Sequence, residues 1–186
     1  MAAAVYVQTN EPDANRVIAF RREPDGILAV LDPSPTGGAG DGVPHLTSQG
    51  SLILTGDGRH LLVTNAGSGD LSVFAVSDSG LELLETVPTG GAAPKSVAEH
   101  DGFVYVLNTG EPSLTGFRLG ANGLEPLSGS ERSLSADADP AQVGFRPDGA
   151  ALIVTERGTD SIVTYPVETS GLLGAPRVHP SSGATP

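Results

Sequence analysis

The sequence has no cysteine, no tryptophan and no long hydrophobic run among its 186 residues. Without cysteine, the chain cannot form disulfide bonds, use a thiolate nucleophile or build a cysteine-based metal site. No apolar stretch approaches the roughly 20 residues that a membrane-spanning helix needs. Residues 1–7 also lack the basic region and the apolar core of a signal peptide. We therefore expect a cytoplasmic protein.

Basic residues are scarce as well. The chain carries 10 Lys and Arg against 22 Asp and Glu, its formal net charge is −12, and Lys95 is its single lysine. Binding to the phosphates of a nucleic acid needs clustered basic side chains. Anionic membrane surfaces attract the same residues, so we expect neither a nucleic acid nor a membrane as a partner.

Glycine and proline, by contrast, are abundant, with 25 Gly and 15 Pro in the chain. Both residues interrupt regular elements: glycine through its conformational freedom, and proline because it lacks the backbone N–H. Long stretches of helix-forming residues are absent. The composition therefore favours an all-β chain of short strands joined by many turns.

The strongest signal is an internal repeat. An aromatic residue is followed six positions later by a glycine and then by an apolar residue, and this pattern occurs four times at intervals of 43 to 54 residues. The aromatic residues are Phe20, Phe74, Phe117 and Tyr165. Apolar strands that end in a polar residue precede each of them, in step with the same spacing. A period near 46 residues is typical of β-propeller blades and longer than that of common helical repeats.

Each repeat is predicted to form four antiparallel strands, A to D, with strand A innermost. In the last repeat, strand A covers residues 141–145, strand B 151–155, strand C 161–167 and strand D 175–180. The pair Asp148-Gly149 supplies the positive φ that a tight hairpin turn needs between strands A and B. Valine, isoleucine, threonine and aromatic residues fill these segments, as half-buried strands prefer.

The repeat sets the blade boundaries. Blade 1 is predicted to hold only strands B to D, within residues 5–31, followed by a Gly- and Pro-rich insertion at 32–44. We interpret the insertion as a loop, either a plain connector or a lid over the channel mouth. The remaining blades are predicted at 45–93, 94–139 and 140–185.

About four blades are present, whereas a ring of seven would need on the order of 320 residues. We therefore expect an incomplete propeller with an apolar blade face open at each end. Exposed apolar faces and unpaired strand edges are association sites. The expected explanations are a natural fragment, a truncated gene model or a half that pairs with another copy, and self-association through these faces belongs to the last of them.

Several segments resemble the lactonase family of seven-bladed propellers, which includes 6-phosphogluconolactonases and carboxymuconate-lactonizing enzymes. They are residues 48–54, 65–74, 140–149 and 180–186. The resemblance covers nearly the whole chain and implies a propeller that hydrolyses a sugar lactone. In such enzymes the proline that opens strand A is often followed by Arg and His. Here Pro94 is followed by Lys95 and Ser96, and Pro140 by Ala141 and Gln142.

Opening a lactone needs a base or an activated water, together with a donor for the developing oxyanion. In propellers, sites lie at the channel mouth, where the D–A and B–C loops meet. The catalytic candidates there are Glu156 and His45. The candidate substrate-binding residues are Lys95, Gln49, Gln142, Asn65 and Asn108.

Each candidate has a structural alternative. Lys95 is either a phosphate or carboxylate partner or an ordinary surface lysine. Glu156 is either a base or a carboxylate that anchors a loop, and the asparagines are either ligand contacts or turn caps. The two glutamines are either donors to a substrate carbonyl or structural hydrogen-bonding groups.

Two functions remain open at this point. One is a lactone hydrolase acting on a compound such as 6-phosphogluconolactone, and the other is a non-catalytic propeller that binds a ligand or a protein. The absent Arg-His pair favours the second, and the family pattern favours the first. The sequence contains no motif for a cofactor, and no histidines at a spacing that suggests a metal site.

Overall fold

The computed structural model describes residues 4–43, 49–120 and 123–186. In these ranges the chain forms 17 β-strands, all in antiparallel sheets, and no helix. It follows that none of these residues belongs to a helix long and apolar enough to cross a membrane. The prediction of an all-β chain built from about four propeller blades is confirmed.

Blade 1 contains strands B to D of the repeat. They are β1 (Ala4–Gln8), β2 (Arg16–Arg22), and an outer strand in two pieces, β3 (Leu28–Val30) and β4 (Ser34–Pro35). Both pieces pair with β2. The prediction that 32–44 is wholly a loop is therefore wrong at β4, because Ser34 and Pro35 continue the outer strand after a break at 31–33. Among the described residues, no strand pairs with the inner edge of β1.

Blades 2 and 3 each contain all four strand positions of the repeat, A to D. Blade 2 is β5 (Leu52–Leu54), β6 (His60–Asn65), β7 (Asp70–Ser77) and β8 (Gly80–Pro88). Blade 3 is β9 (Pro94–His100), β10 (Phe103–Asn108), β11 (Ser113–Gly120) and an outer strand split into β12 (Gly123–Pro126) and β13 (Arg132–Ser133). The split matches the one in blade 1, since β12 and β13 both pair with β11.

Blade 4 is β14 (Pro140–Phe145), β15 (Ala151–Glu156), β16 (Ser161–Pro166) and β17 (Arg177–Pro180). Its hairpin turn contains Gly149 at φ 71°, which fits the turn predicted from the Asp-Gly pair. The four strands pair in sequence order, as in blade 2.

The core lies between the blades, where each sheet packs its apolar faces on its neighbours. We call the side of a blade that faces the preceding blade its proximal face, and the side that faces the following blade its distal face. Alternation along each strand divides the residues between the two faces. Three apolar clusters fill the three spaces between consecutive blades.

The same positions recur in each cluster. The distal-face residues are Tyr6 and Val17 in blade 1, Leu62 and Leu71 in blade 2, and Tyr105 and Leu114 in blade 3. They pack on proximal-face residues of the next blade. These are Leu61, Val63 and Phe74 in blade 2, Val104, Val106 and Phe117 in blade 3, and Leu152, Val154 and Tyr165 in blade 4. The repeat in the sequence is thus a repeat of one packing interface.

Candidate functional site

The inner ends of three neighbouring blades meet at Ser96, which is fully buried. Its hydroxyl donates a 2.7 Å hydrogen bond to the carbonyl oxygen of Gln49, just before β5 in blade 2. The same hydroxyl accepts a 3.2 Å hydrogen bond from the backbone N–H of Val143 in blade 4. One side chain therefore holds the innermost strands of blades 2, 3 and 4 in register.

Three predicted substrate-binding residues flank these contacts. Lys95 precedes Ser96, Gln142 precedes Val143, and Gln49 is itself the acceptor. Gln49 is exposed, and Lys95 and Gln142 are half-buried. We call these three residues the rim cluster, because they lie where the inner strands begin.

The backbone around the rim cluster is irregular in a repeated way. The ladder between β9 and β10 shifts register so that Lys95 falls in a bulge, and Ala141 falls in the matching bulge between β14 and β15. Bulges of this kind re-aim side chains and occur often beside active sites. The residues before the two opening prolines, Ala93 and Asp139, have φ values of 52° and 38°. These conformations are uncommon for residues other than glycine, so the rim is a strained part of the backbone.

Asn65, at the end of β6, is fully buried between blades 1 and 2. Its Oδ1 accepts a 2.8 Å hydrogen bond from the hydroxyl of Thr36 on the connector leaving blade 1. Its Nδ2 donates a 2.7 Å hydrogen bond to the hydroxyl of Ser72 on β7. The amide therefore links the connector to the blade that follows it.

Asn108 repeats this arrangement between blades 2 and 3. It is fully buried, its Oδ1 accepts a 2.9 Å hydrogen bond from Thr89, and its Nδ2 donates a 3.3 Å hydrogen bond to Thr115. Buried amides that are satisfied in this way stabilise the packing between elements. The position of both asparagines favours a structural role over ligand contact.

Two glycines make the arrangement possible. A Cβ on Gly38 would lie 2.5 Å from the side chain of Asn65, and a Cβ on Gly91 would lie 2.5 Å from that of Asn108. Real Cβ atoms do not approach other atoms so closely. The Gly-rich segment at 36–43 is accordingly packed as a connector: the Gly67 N–H donates to the Ala39 carbonyl at 2.9 Å. The contacts favour the connector interpretation over the lid.

Glu156 occupies the matching position at the end of β15 in blade 4. Only 1% of its surface is exposed, and its Oε2 accepts a 2.9 Å hydrogen bond from the hydroxyl of Thr159. Burial and, secondarily, the Glu156 carboxylate raise the pKa of Tyr165, against an opposing effect of Arg132. The neighbouring Arg157 pairs instead with Asp139 at 2.7 Å. The geometry favours a loop-anchoring carboxylate.

The four histidines lie in three settings, and His179 is on the outer strand β17 of blade 4. The candidate base His45 lies outside the described residues. His60 begins β6 and His100 ends β9, so both lie at the opposite end of the blades from Asn65 and Lys95. In the part of the chain that the structure describes, no three His, Asp or Glu side chains converge on a possible metal site.

Two clefts among the described residues lie away from the rim cluster. The larger, about 640 Å³, is a groove on the turn side of blades 2 and 3, and its lining includes Arg59, His60, His100 and Arg118. The second lies between blades 1 and 2 beside Tyr6 and Leu81. Neither contains a residue of the rim cluster.

Sequence reasoning missed Ser96 and the two connector threonines. The threonines had a readable signal, because Thr36-Gly37-Gly38 and Thr89-Gly90-Gly91 are the same tripeptide at matching positions of the repeat. Ser96 had no such signal. The equivalent position in blade 4 is Gln142, as the ladders of β9 with β10 and of β14 with β15 show, and the sequence does not indicate the hydrogen bond between Ser96 and Val143.

Four twisted antiparallel sheets that pack face to face through one repeated interface define a β-propeller. The model of a family described as Lactonase, 7-bladed beta-propeller matches residues 4–123, about two thirds of the chain. The chain belongs to this family. A comparison with curated protein sequences gives no match.

Solved structures agree on the fold. A candidate 6-phosphogluconolactonase from Bacteroides fragilis is 15% identical with a TM-score of 0.77, and the match covers 100% of this chain and 57% of that one. A periplasmic gluconolactonase from Pseudomonas aeruginosa is 18% identical with a TM-score of 0.71, over 98% and 55%. A protein from Lactobacillus plantarum is 16% identical with a TM-score of 0.75, over 97% and 54%. The chain thus spans a little over half the length of these similar structures.

Proposed function

We propose that this chain forms part of the substrate-binding rim of a lactone-hydrolysing propeller, and that Lys95 binds the anionic group of the substrate. The observation that carries the proposal is the double hydrogen bond of Ser96, which ties the backbone beside Lys95 to the Gln49 carbonyl and to the backbone beside Gln142. Membership of the lactonase family supports the reaction class. A sugar lactone with a phosphate, such as 6-phosphogluconolactone, is the proposed substrate.

The rim cluster offers chemistry that suits such a substrate. An ammonium group pairs strongly with phosphate or carboxylate oxygens through charge-assisted hydrogen bonds. The amide N–H groups of Gln49 and Gln142 can donate to the lactone carbonyl, where negative charge develops as water attacks. In the reaction, water adds to the carbonyl carbon, the ring C–O bond breaks, and the released alkoxide takes up a proton to give the hydroxy acid.

The reaction also needs a base that accepts the proton from water. His45 is the sequence candidate, and Glu156 is too buried to touch a substrate in this conformation. That burial favours the second function, a propeller that binds a sugar acid or lactone at the same rim without hydrolysing it. In both functions Lys95 binds the anionic group of the ligand, and only the first function includes hydrolysis of the lactone.

Hydrolysis of 6-phosphogluconolactone by the purified protein, corrected for spontaneous hydrolysis, distinguishes the two. We expect Lys95→Ala to raise KM for the phosphorylated lactone at least tenfold and to leave KM for unphosphorylated gluconolactone unchanged. Lys95→Arg, which keeps the charge, serves as the matched control and should retain most of the affinity. An equal effect of Lys95→Ala on both lactones would remove the phosphate contact from the proposal.

If the protein shows no turnover, calorimetric binding of 6-phosphogluconate to the same variants replaces the kinetic measurement. The binding function predicts a loss of affinity in Lys95→Ala and little change in Lys95→Arg. A wild-type protein that neither hydrolyses the lactone nor binds the acid would contradict both functions.

A further inference from the structure

The hairpin turn between strands A and B is shorter in blade 3 than in the blades on either side. It covers residues 55–59 in blade 2 and residues 146–150 in blade 4, but only Asp101 and Gly102 in blade 3. These two residues have φ values of 49° and 78°, as a two-residue hairpin turn requires. Because the turn of blade 3 extends less far from its sheet, it leaves a depression. The turn-side groove of about 640 Å³ lies there, between blades 2 and 3.

The turn-side groove is closed towards blade 4 by the His100 ring. That ring packs on Phe145 with 5.8 Å between the ring centroids, and a Cβ on Gly149 would overlap it. On the side of blade 2 the lining includes Thr55 and His60. Pockets for small molecules have volumes of about 300–1,000 Å³. The groove therefore has the size of a small-molecule site.

Some charged side chains of the turn-side groove are already satisfied within the protein. Arg59 Nε pairs with Asp57 Oδ2 at 2.7 Å. The two carboxylate oxygens of Glu99 accept hydrogen bonds from the N–H groups of Gly102 at 2.8 Å and Gly56 at 3.0 Å. The Arg59–Asp57 pair and Glu99 therefore hold the walls of the groove together.

Arg118 is the first of two charged groups in the groove that remain. Its guanidinium stacks on the Phe103 ring, 4.3 Å from the centroid, and pairs with no carboxylate in the described ranges. Stacking covers one face of the planar guanidinium and leaves its N–H edge, which binds carboxylates with two parallel hydrogen bonds. Arg118 is therefore held in place for an acidic ligand group.

Asp101 is the second. Its side chain is 88% exposed, and its one ion-pair partner among the described residues is His100 Nε2 at 3.6 Å, which is charged only when protonated. Asp101 precedes Gly102, and the Arg118 guanidinium carbon would lie 3.6 Å from a Cβ on Gly102. The two opposite charges thus lie beside the same glycine without pairing with each other.

We propose that the turn-side groove binds a free α-amino acid, whose carboxylate pairs with Arg118 and whose ammonium group pairs with Asp101. A small zwitterion satisfies both charges at once. A simple anion fits less well, because three carboxylates and only two guanidinium groups line the groove. The site lies at the opposite end of the blades from the rim cluster, so the proposal does not rest on lactone binding.

Saturation-transfer NMR with each of the common L-amino acids, followed by calorimetry on the best ligand, tests the proposal. The measurements are made above the pH range in which histidine ordinarily titrates, so that His100 does not compete for Asp101. We expect saturable binding of one amino acid per chain. Absence of binding by every amino acid would overturn the proposal.

Two derivatives of the best ligand test whether both charges are recognised. The amide of the amino acid keeps the ammonium group and lacks the carboxylate, whereas the N-acetyl derivative keeps the carboxylate and lacks the ammonium group. Each should bind at least tenfold more weakly, because each loses one charge-assisted hydrogen-bonded pair. A derivative that binds as tightly as the amino acid would exclude the zwitterion.

Arg118→Gln and Asp101→Asn test the assigned residues, and each should weaken binding at least tenfold. Arg177→Gln is the control for the loss of an exposed arginine. Asp160→Asn is the control for an aspartate in the left-handed region, since its φ of 48° matches that of Asp101. Both controls should bind like the wild type, and circular dichroism establishes that every variant is folded.

Two results with these variants would overturn the assignment. One is unchanged affinity in folded Arg118→Gln or Asp101→Asn, and the other is an equal loss of affinity in the controls. None of these measurements uses a lactone or depends on Lys95, so failure here leaves the proposed function to its own test.

Discussion

The hydroxyl of Thr89 donates a 2.9 Å hydrogen bond to Oδ1 of Asn108, which joins the connector leaving blade 2 to the second strand of blade 3. Thr36 and Asn65 make the same contact one blade earlier. Both pairs are fully buried, so each hydrogen bond replaces water on two polar groups at once. The contact fixes where one blade stands relative to the next, and hence where the rim cluster forms.

Removing the Thr89 hydroxyl should therefore destabilise the fold. Thr89→Val keeps the side-chain shape but leaves Oδ1 of Asn108 buried without this donor. We expect the free energy of unfolding to fall by about 1–3 kcal/mol, the usual cost of an unsatisfied buried group. Urea denaturation monitored by circular dichroism measures the change. Thr89→Ser keeps a hydroxyl and should lose much less; equal losses in the two variants would show that the hydrogen bond is not the cause.

Gly91 should not tolerate even one added carbon. Its φ lies outside the left-handed region, so the cost of Gly91→Ala is steric, arising from a Cβ 2.5 Å from the Asn108 side chain. Overpacking of this kind typically costs about 1–3 kcal/mol. Gly144→Ala is the control, because a Cβ there has no atom within 4 Å and Gly144 is also outside the left-handed region. Comparable unfolding midpoints for the two variants would contradict the close contact.

The free energy of unfolding should fall at alkaline pH because Tyr105 loses its proton. Burial raises the pKa of Tyr105 to about 12, and its hydroxyl donates a 2.8 Å hydrogen bond to the carbonyl of Gly171 in blade 4. A raised pKa means that the folded state holds the proton more tightly, so the stabilisation is complete below pH about 10 and disappears as the pH rises through about 12.

Urea unfolding at a series of pH values between neutral and about 11 measures this effect. The free energy of unfolding of the wild type should decline above pH about 10, the ordinary pKa of tyrosine. Tyr105→Phe should start lower, because it lacks the hydrogen bond to Gly171, and should decline less steeply. Parallel curves for the two proteins would show that Tyr105 ionises as easily in the folded state as in the unfolded one.

Substitutions of Glu156 distinguish its two predicted roles, a catalytic base and a carboxylate that anchors a loop. Glu156→Gln keeps an acceptor for the Thr159 hydroxyl but cannot take a proton from water, and Glu156→Ala removes both capacities. The buried geometry predicts that only Glu156→Ala loses stability, by about 1–3 kcal/mol, and that neither variant changes the rate of lactone hydrolysis per folded molecule. A large loss of rate in Glu156→Gln, with unchanged stability, would instead identify Glu156 as the base.

The fold could be predicted from the sequence because several independent residue features recur with the same period. The aromatic and glycine at fixed spacing belong to the third strand and the turn after it, so Phe74 and Gly80 locate both in blade 2. The two-piece outer strand of blade 1 could not be predicted. Ser34 and Pro35 have weak strand propensity, and their pairing depends on the position of Arg16 and Val17 on β2.

The site could be predicted only in part, for a physical reason. A polar residue at the end of the second strand of a blade can face either a ligand or the preceding blade, and the sequence does not show which. A Thr-Gly-Gly connector closes over Asn65 and Asn108, whereas Glu156 is equally buried although the connector before it has no such tripeptide. The neighbourhood of Gln49, Lys95 and Gln142 arises from contacts between blades some 47 residues apart.

A crystal structure of the protein soaked with 6-phosphogluconate, the product of the proposed reaction, shows whether the rim cluster binds the phosphate. We expect phosphate density within about 3 Å of the Lys95 ammonium, a normal charge-assisted hydrogen-bond distance, with the sugar acid beside Gln49 or Gln142. Density on the turn-side groove beside Arg59 and Arg118, or no bound ligand at saturating concentration, would contradict this expectation.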